Sequence, residues 1–372
     1  MKMAVLYLHK GGGIGQFTYE LVRSMLPLAE ITCYLAEQNR LLDQFQSLPC
    51  ASRVFPMQRG KKALAKALLT GREPSGIADA IFAGSPDVVL DTGSVWWSSV
   101  IARQIGRRIP FAQIVHDVTP HPGPLHVAER MFGRLFAPAA DAFIALSHYS
   151  YLELQKRFPG ATLIESRHGI MLAQAGTDPA TIASKRNKLL FFGSISRYKG
   201  VDVLLEAYAI ARSSNPALEL HICGSGKLDA DVLRRIRALG VSLRNEYIPE
   251  SEVGDVILTH GLLVLPYTSA TQSGVAAVAL ANGLPAIATN VGALPEQIID
   301  GRNGLVVPPN DPRALADAIL KLSSNAEMAQ AMSEQSLLVG RELYSWSEIG
   351  PKLLRDIQSA LLAGKSCSVG SA

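Results

Sequence analysis

The sequence predicts an α/β protein of two domains, each a mostly parallel β-sheet covered by helices. Three observations carry this. The chain has 372 residues, more than a single hydrophobic core usually organises. Short apolar runs of strand length alternate with helix-length segments from one end to the other, as in repeated strand–helix–strand units. A small, polar, non-periodic stretch, MLAQAGTDPATIASKRNK, separates two such series. The domains are therefore expected at residues 1–172 and 188–345, with the linker over 172–187 and a last helix over 346–362.

In chain order, Met3–Leu8, Ile31–Leu35, Val88–Asp91, Phe111–Val115 and Ala142–Leu146 are the strand candidates of the first half. Leu189–Phe192, Glu219–Cys223, Leu262–Leu265 and Ala286–Thr289 repeat the pattern in the second. The N-terminal MKMAVLYLHKGGG has too short an apolar core for a secretory signal, because Lys10 and three glycines follow at once. It reads as a first buried strand. The last helix has a cap at Ser345 or Ser347, and the tail GKSCSVGSA is expected to be disordered.

Charged residues make up 18% and hydrophobic ones 48%, ordinary for a soluble α/β protein. No apolar run approaches the ~20 residues of a spanning helix. Cys33, Cys50, Cys223 and Cys367 show neither paired nor metal-like spacing, which suits reduced thiols in a cytoplasmic protein. The net charge is +4, with the basic excess in the first half. Much of it lies in VFPMQRGKKALAKALLTGR, where Arg59, Lys61, Lys62, Lys66 and Arg72 surround Leu64, Leu68 and Leu69. Such a helix suits an anionic membrane surface or acceptor, and equally a solvated helix face. Nucleic acid is disfavoured, since no recognised binding motif is present.

Six segments hold candidate chemistry. In LHKGGGIGQFTYEL a buried strand runs into Gly11, Gly12, Gly13 and Gly15 and then a helix, an arrangement that lets main-chain amides approach a diphosphate. A tight strand-to-helix turn is the plain alternative. Dinucleotide folds use the same device, but Glu37 is followed by QNRLLD and no suitable acid ends the second strand. QIVHDVTPHPGPLH places His116 and Asp117 after a predicted strand, where ligands gather in such folds. Its prolines and glycine spoil any register for convergent metal ligands, and His121 with Pro122 fits an acceptor loop.

LLFFGSISRYKGVDVLLEAY reads as strand, loop and helix, with Ser194, Arg197 and Lys199 in the loop. Fixed cations there could stabilise negative charge that develops on a bound group. In ELHICGSGKL, Gly224 and Gly226 end a buried strand and permit close approach of a nucleotide. NEYIPESEV follows, with Tyr247, Ile248 and Pro249 in a loop. In LPYTSATQSGVAAVALANGLP, Thr271, Gln272 and Ser273 supply neutral hydrogen-bonding groups, while Ser273, Gly274 and Val275 open a helix whose amides suit phosphate.

Together these segments resemble glycosyltransferase family 4, of the GT-B type. The resemblance covers nearly the whole chain and is strongest from Leu189 to Ala318, where the third segment is similar to the family's FxGRxxxxKGxxxLLxA element. It implies two Rossmann-like domains facing a central cleft. The activity it implies is transfer of a sugar from a nucleotide donor with retained anomeric configuration. His116 is then placed near the transferred sugar and acceptor, and Lys199 on the leaving group. The donor is held by Gly12, Gly13, Gly15, Ser194, Arg197, Lys199, Gly224, Tyr247, Ile248, Thr271, Gln272, Ser273, Gly274 and Val275. Lys61, Lys62 and Lys66 are assigned to the acceptor or membrane. No cofactor or metal is implied, a nucleotide-diphosphate sugar being the substrate.

The chain departs from the family pattern in two places. Two glutamates expected eight positions apart before the GLP turn are Ala270 and Val278, and no acid occurs between Asp255 and Glu296. The arginine expected after the glycine of the third segment is Ser194, with Arg197 three residues later. The expected function is transfer of a hexose-type sugar to a lipid-linked or oligosaccharide acceptor in bacterial-type surface polysaccharide synthesis, lipopolysaccharide included. The expected place is the cytoplasm, extending to the periphery of the inner membrane face. A catalytically inactive sugar-nucleotide-binding assembly partner, and a nucleotide-sugar epimerase using Asp91 and Asp117 as acid and base, are the alternative readings.

Overall fold

Every named strand of the computed structural model pairs in parallel, and the strands fall into two sheets. The structure describes residues 1–57, 76–93, 96–118, 140–171 and 177–367. It divides into two units, Met1–His168 with Trp346–Ala372, and Gly169–Ser345.

In the first unit the strands are β1 (Lys2–Tyr7), β2 (Glu30–Ala36), β3 (Ala51–Phe55), β4 (Val88–Asp91), β5 (Phe111–Val115), β6 (Ala142–Ala145) and β7 (Leu163–Glu165), in spatial order 3-2-1-4-5-6-7. Helices α1 (Gly13–Met25), α2 (Leu42–Gln46), α3 (Ile77–Gly84), α4 (Trp96–Ile105) and α5 (His148–Arg157) connect them. β1, β4 and β6 are apolar and almost wholly buried, as strands covered on both faces must be. The order reverses between β1 and β4, so the loops leaving these strands splay apart and open a crevice at their carboxyl ends.

The second sheet runs 10-9-8-11-12-13, built from β8 (Lys188–Phe192), β9 (Glu219–Cys223), β10 (Ser242–Arg244), β11 (Leu262–Leu265), β12 (Ala286–Thr289) and β13 (Gly304–Val307). Around it lie α6 (Pro179–Ser184), α7 (Val201–Ser214), α8 (Ala230–Ala238), α9 (Glu250–Leu258), α10 (Gly274–Ala281), α11 (Leu294–Gln297), α12 (Pro312–Ser324) and α13 (Ala326–Leu343). Phe191, Leu205, Tyr208, Ile222, Val264 and Ile319 belong to its core. Asp178, Ser273, Asp311 and Asn325 cap α6, α10, α12 and α13 by accepting from first-turn amides. Here the reversal falls between β8 and β11.

Two sequence expectations need correction. The unit boundary falls at His168–Gly169, and the stretch read as a linker contains α6, whose Ile182 and Ala183 are buried in the second unit. The last helix, α14 (Trp346–Cys367), starts directly after Ser345 and runs beyond residue 362 into the tail expected to be disordered. It belongs to the first unit, where Gly350 lies against Ser24 of α1 and Lys352 reaches the Glu165 carbonyl at 3.4 Å. Cys33 and Cys50, unrelated by spacing, are brought together as free thiols hydrogen-bonded to each other.

Candidate active site

In the second unit, the loop after β8 ends in a 3-10 turn, Arg197–Lys199, followed by Gly200. Gly200 has φ 68°, and a Cβ there would strike the Pro266 carbonyl, so only glycine lets this loop lie against the one after β11. The Thr268 amide donates to the Tyr198 carbonyl at 2.7 Å, tying the same two loops. Lys199 is 8% exposed. Its Nζ donates to the Tyr267 hydroxyl at 2.8 Å, and that hydroxyl lies 3.4 Å from Ser273 Oγ. Ser273 caps α10 through the Ala276 amide at 3.3 Å. A buried cation and a helix N-terminus therefore share one short polar chain, and Gly193 faces Val275 beside it.

Around this centre the sequence-predicted residues divide. Lys199, Thr271 and Ser273 are buried, whereas Gln272, Gly274 and Val275 are partly exposed. Ser194 and Arg197 are exposed, and the Arg197 guanidinium makes no hydrogen bond or ion pair with any described residue. The Ser273 oxygen accepts in the helix cap, which leaves its O–H as a donor. At Gly224 and Gly226 side chains would strike the carbonyls of Gly193 and Ile195, so glycine there lets two loops pack closely. Tyr247 is exposed and donates to Glu250 at 2.6 Å, while Ile248 is buried. Ala270 and Val278, which stand where the acids were expected, are both buried.

In the first unit, Gly11 and Gly12 take positive φ (124° and 88°) and α1 begins at Gly13. The Gly12 carbonyl accepts from the Gly15 amide, and the amides of Gly13 and Ile14 have no intrahelical acceptor. A Cβ at Gly15 would press on the Tyr7 hydroxyl and Leu41. His116 follows β5 and is 6% exposed. Its Nε2 lies 2.8 Å from the Thr92 carbonyl, which can only accept, so Nε2 carries the proton and Nδ1 the lone pair in the neutral ring. Burial holds His116 below the usual histidine range, outweighing the Thr92 hydrogen bond and the nearby Asp117. Phe17 of α1 packs edge-on to His116 at 5.2 Å, and also touches His168 and Trp346.

Asp91 ends β4 fully buried. Its carboxyl accepts from the Gly93 amide (3.3 Å), Ser98 (3.1 Å) and Gln113 (3.3 Å), yet burial still pushes it up to about 8. Asp117 is exposed. Lys61, Lys62, Lys66, His121 and Pro122 lie outside the described residues. Among the described residues no three His, Cys, Asp or Glu side chains gather to hold a metal ion. Tyr267 was not anticipated from sequence, and an aromatic two residues after a strand end was the available signal.

Residues 11–164 match the profile of Glycosyltransferase Family 4, and residues 177–337 match that of Glycosyl transferases group 1. The chain belongs to this glycosyltransferase family. A relative of this family 4 chain, a D-inositol 3-phosphate glycosyltransferase of Corynebacterium glutamicum, is 31% identical over 201 residues, which are 50% of the chain and 48% of the relative. The chain thus spans about half the length of the curated relatives it matches. Among solved structures, Anabaena Alr3699/HepE in complex with UDP-glucose superposes with TM-score 0.76 at 16% identity, over 96% of this chain and 100% of the other. Sucrose-phosphate synthase from Thermosynechococcus elongatus gives 0.75 at 16% identity, over 97% and 99%. These likenesses show the fold, two Rossmann-like α/β domains of the GT-B type.

Proposed function

We propose that this chain is a retaining glycosyltransferase that moves a hexose-type sugar from a nucleoside-diphosphate donor to a glycan acceptor. The observation that supports it most is the chain Lys199–Tyr267–Ser273, which sets a buried ammonium beside the N-terminus of α10. A diphosphate leaving group gains negative charge as its bond to the sugar breaks. The Lys199 charge and the first-turn amides of Gly274 and Val275 suit that charge and cost no reorganisation when it forms. In the proposed step the bond from the sugar C1 to the diphosphate oxygen breaks, and the acceptor oxygen bonds C1 on the same face. The acceptor proton passes to the departing phosphate. No carboxylate nucleophile is needed, unlike in most glycosidases, so Ala270 and Val278 are compatible with activity. His116, neutral and with Nδ1 as acceptor, is the acceptor-side polar group of this scheme.

For the acceptor we propose a lipid-linked or free oligosaccharide of a bacterial-type surface polysaccharide, with Lys61, Lys62 and Lys66 favouring an anionic membrane face. No described helix is long and apolar enough to cross a membrane. The Corynebacterium relative's name adds a second class, an inositol phosphate. The test is a screen of UDP- and GDP-sugars for thermal stabilisation, then product analysis with one acceptor of each class. Turnover that falls at least about a hundredfold in Lys199→Met supports the reading. Stabilisation without turnover favours an assembly partner, and release of an altered nucleotide sugar favours an epimerase.

A further inference from the structure

Gln297 ends α11, on the segment after β12, and is 3% exposed. Its side-chain amide makes two hydrogen bonds to the main chain of one residue. The Ser273 amide donates to Oε1 at 3.0 Å, and Nε2 donates to the Ser273 carbonyl at 3.0 Å. This reproduces the reciprocal exchange between paired strand residues, with a side chain as one partner. Gln297 is itself held. Asn303, fully buried, donates to the Gln297 carbonyl at 3.0 Å and accepts from the Ile299 amide at 2.7 Å. Ser336 of α13 donates to the Asn303 carbonyl at 3.2 Å. On the other side, the Ser273 carbonyl accepts from the Ala277 amide of α10 at 3.2 Å. Residue 273 is thus fixed from two directions, immediately ahead of Gly274 and Val275.

We propose that Gln297 is a positioning residue for the donor diphosphate, setting the peptide planes that open α10 so that its first amides and Lys199 converge on one anion. This rests on the glycosyl-transfer reading above, which places a diphosphate at α10. It accounts for a defined donor loop in a chain with Ala270 and Val278 in place of acids, because the loop is set from behind by a neutral amide. Glutamine suits the task by its chemistry. A carboxylate at 297 would accept from the Ser273 amide but turn a second acceptor toward the Ser273 carbonyl. An apolar side chain would leave both buried main-chain groups without their partner.

Two variants of the full chain test this by calorimetric titration with UDP and with GDP. Gln297→Met should weaken binding of the nucleotide that the wild type takes by roughly tenfold, the loss of two neutral hydrogen bonds. Gln297→Glu should show a pH signature. Protonated, a glutamic acid accepts and donates as the amide does; ionised, it cannot. Burial of this position raises a carboxyl there above the ordinary glutamate range, so affinity relative to wild type should rise as pH is lowered through its titration. A merely structural role would lower the melting temperature and leave that ratio level. If Gln297→Met does not fold, the Glu variant decides alone. A flat ratio, or Met binding within twofold of wild type, overturns the positioning role and leaves the transferase reading standing. A wild type that binds no nucleoside diphosphate and no nucleotide sugar overturns both.

Discussion

The Lys199 ammonium donates to the Tyr267 hydroxyl at 2.8 Å and stands 4.3 Å from the centre of the same ring. Lys199 follows β8 and Tyr267 follows β11, the two strands between which the sheet order reverses. The contact therefore joins both loops of the crevice through a buried cation, and ring and oxygen both favour positive charge there. Tyr267→Phe keeps the ring and removes the oxygen. A buried hydrogen bond to a charged group is worth about 1.5–3 kcal/mol, so the melting temperature should fall by several degrees. Turnover should fall about tenfold, because a less constrained ammonium stabilises the leaving group less well. Differential scanning calorimetry and steady-state kinetics check both. Unchanged values for the two would remove Tyr267 from this role.

His116 is held in one tautomer by the Thr92 carbonyl and kept neutral by burial. Because its pKa lies below the ordinary 6.5, kcat should stay level as pH falls from about 8 to 6.5 and decline only below that. His116→Ala should lower kcat by about 10²-fold or more and leave nucleotide affinity within about twofold. An acid limb centred above pH 7 in the wild type would contradict the assignment. So would a variant that loses nucleotide affinity alone.

Asp91 supplies a stability signature. Its folded-state carboxyl titrates near 8 against an ordinary 3.8, so between those values the folded state holds a proton that the unfolded chain has released. Stability must then fall as pH rises through this window and level off above about 8. Asp91→Asn keeps one oxygen for Gly93 and Ser98, and Gln113 needs only to rotate its amide to pair with the new NH2. Thermal melts from pH 6 to 9 should fall for the wild type and stay nearly level for the variant, which should be the more stable at pH 9. Parallel curves would show that Asp91 is ionised throughout.

How much of this was legible in sequence depended on what lay next to each residue. The nine strands that periodicity marks are the nine interior strands of the two sheets. The four it misses, β3, β7, β10 and β13, are the four edges. Interior parallel strands are covered on both faces and read as apolar runs such as VVLD and LLVL. Edge strands bury less and read as ASRVF or SLR, which carry no period, and β13 is masked by the glycine-rich turn before it. His116 and Lys199 could be named as candidates because residue type and position in a loop after a strand together suggest their chemistry. Gln297 and Tyr267 could not, since each acts through a partner that only the folded chain brings near. The packing of Gly224 and Gly226 on the carbonyls of Gly193 and Ile195 was hidden for the same reason.

His260, at the end of the second unit's sheet opposite the donor loops, should govern acid sensitivity. Its Nδ1 donates to the Val256 carbonyl at 2.6 Å, while Nε2 is buried with no hydrogen-bond partner. The His221 ring stands perpendicular to it at 4.7 Å. Burial, with His221 and Lys188 nearby, depresses its pKa to about 4, although the Val256 bond and Glu219 act the other way. Below the ordinary 6.5 the unfolded chain takes up a proton that the folded state refuses. Stability from this group is complete above 6.5 and is lost as pH falls toward 4. His221 is shifted in the same direction by its own burial, so the comparison needs His260→Asn both alone and with His221→Gln. The single variant should lose less melting temperature than the wild type between pH 7 and 5, and the double variant least of all. A wild-type loss that neither variant reduces would place acid sensitivity elsewhere in the chain.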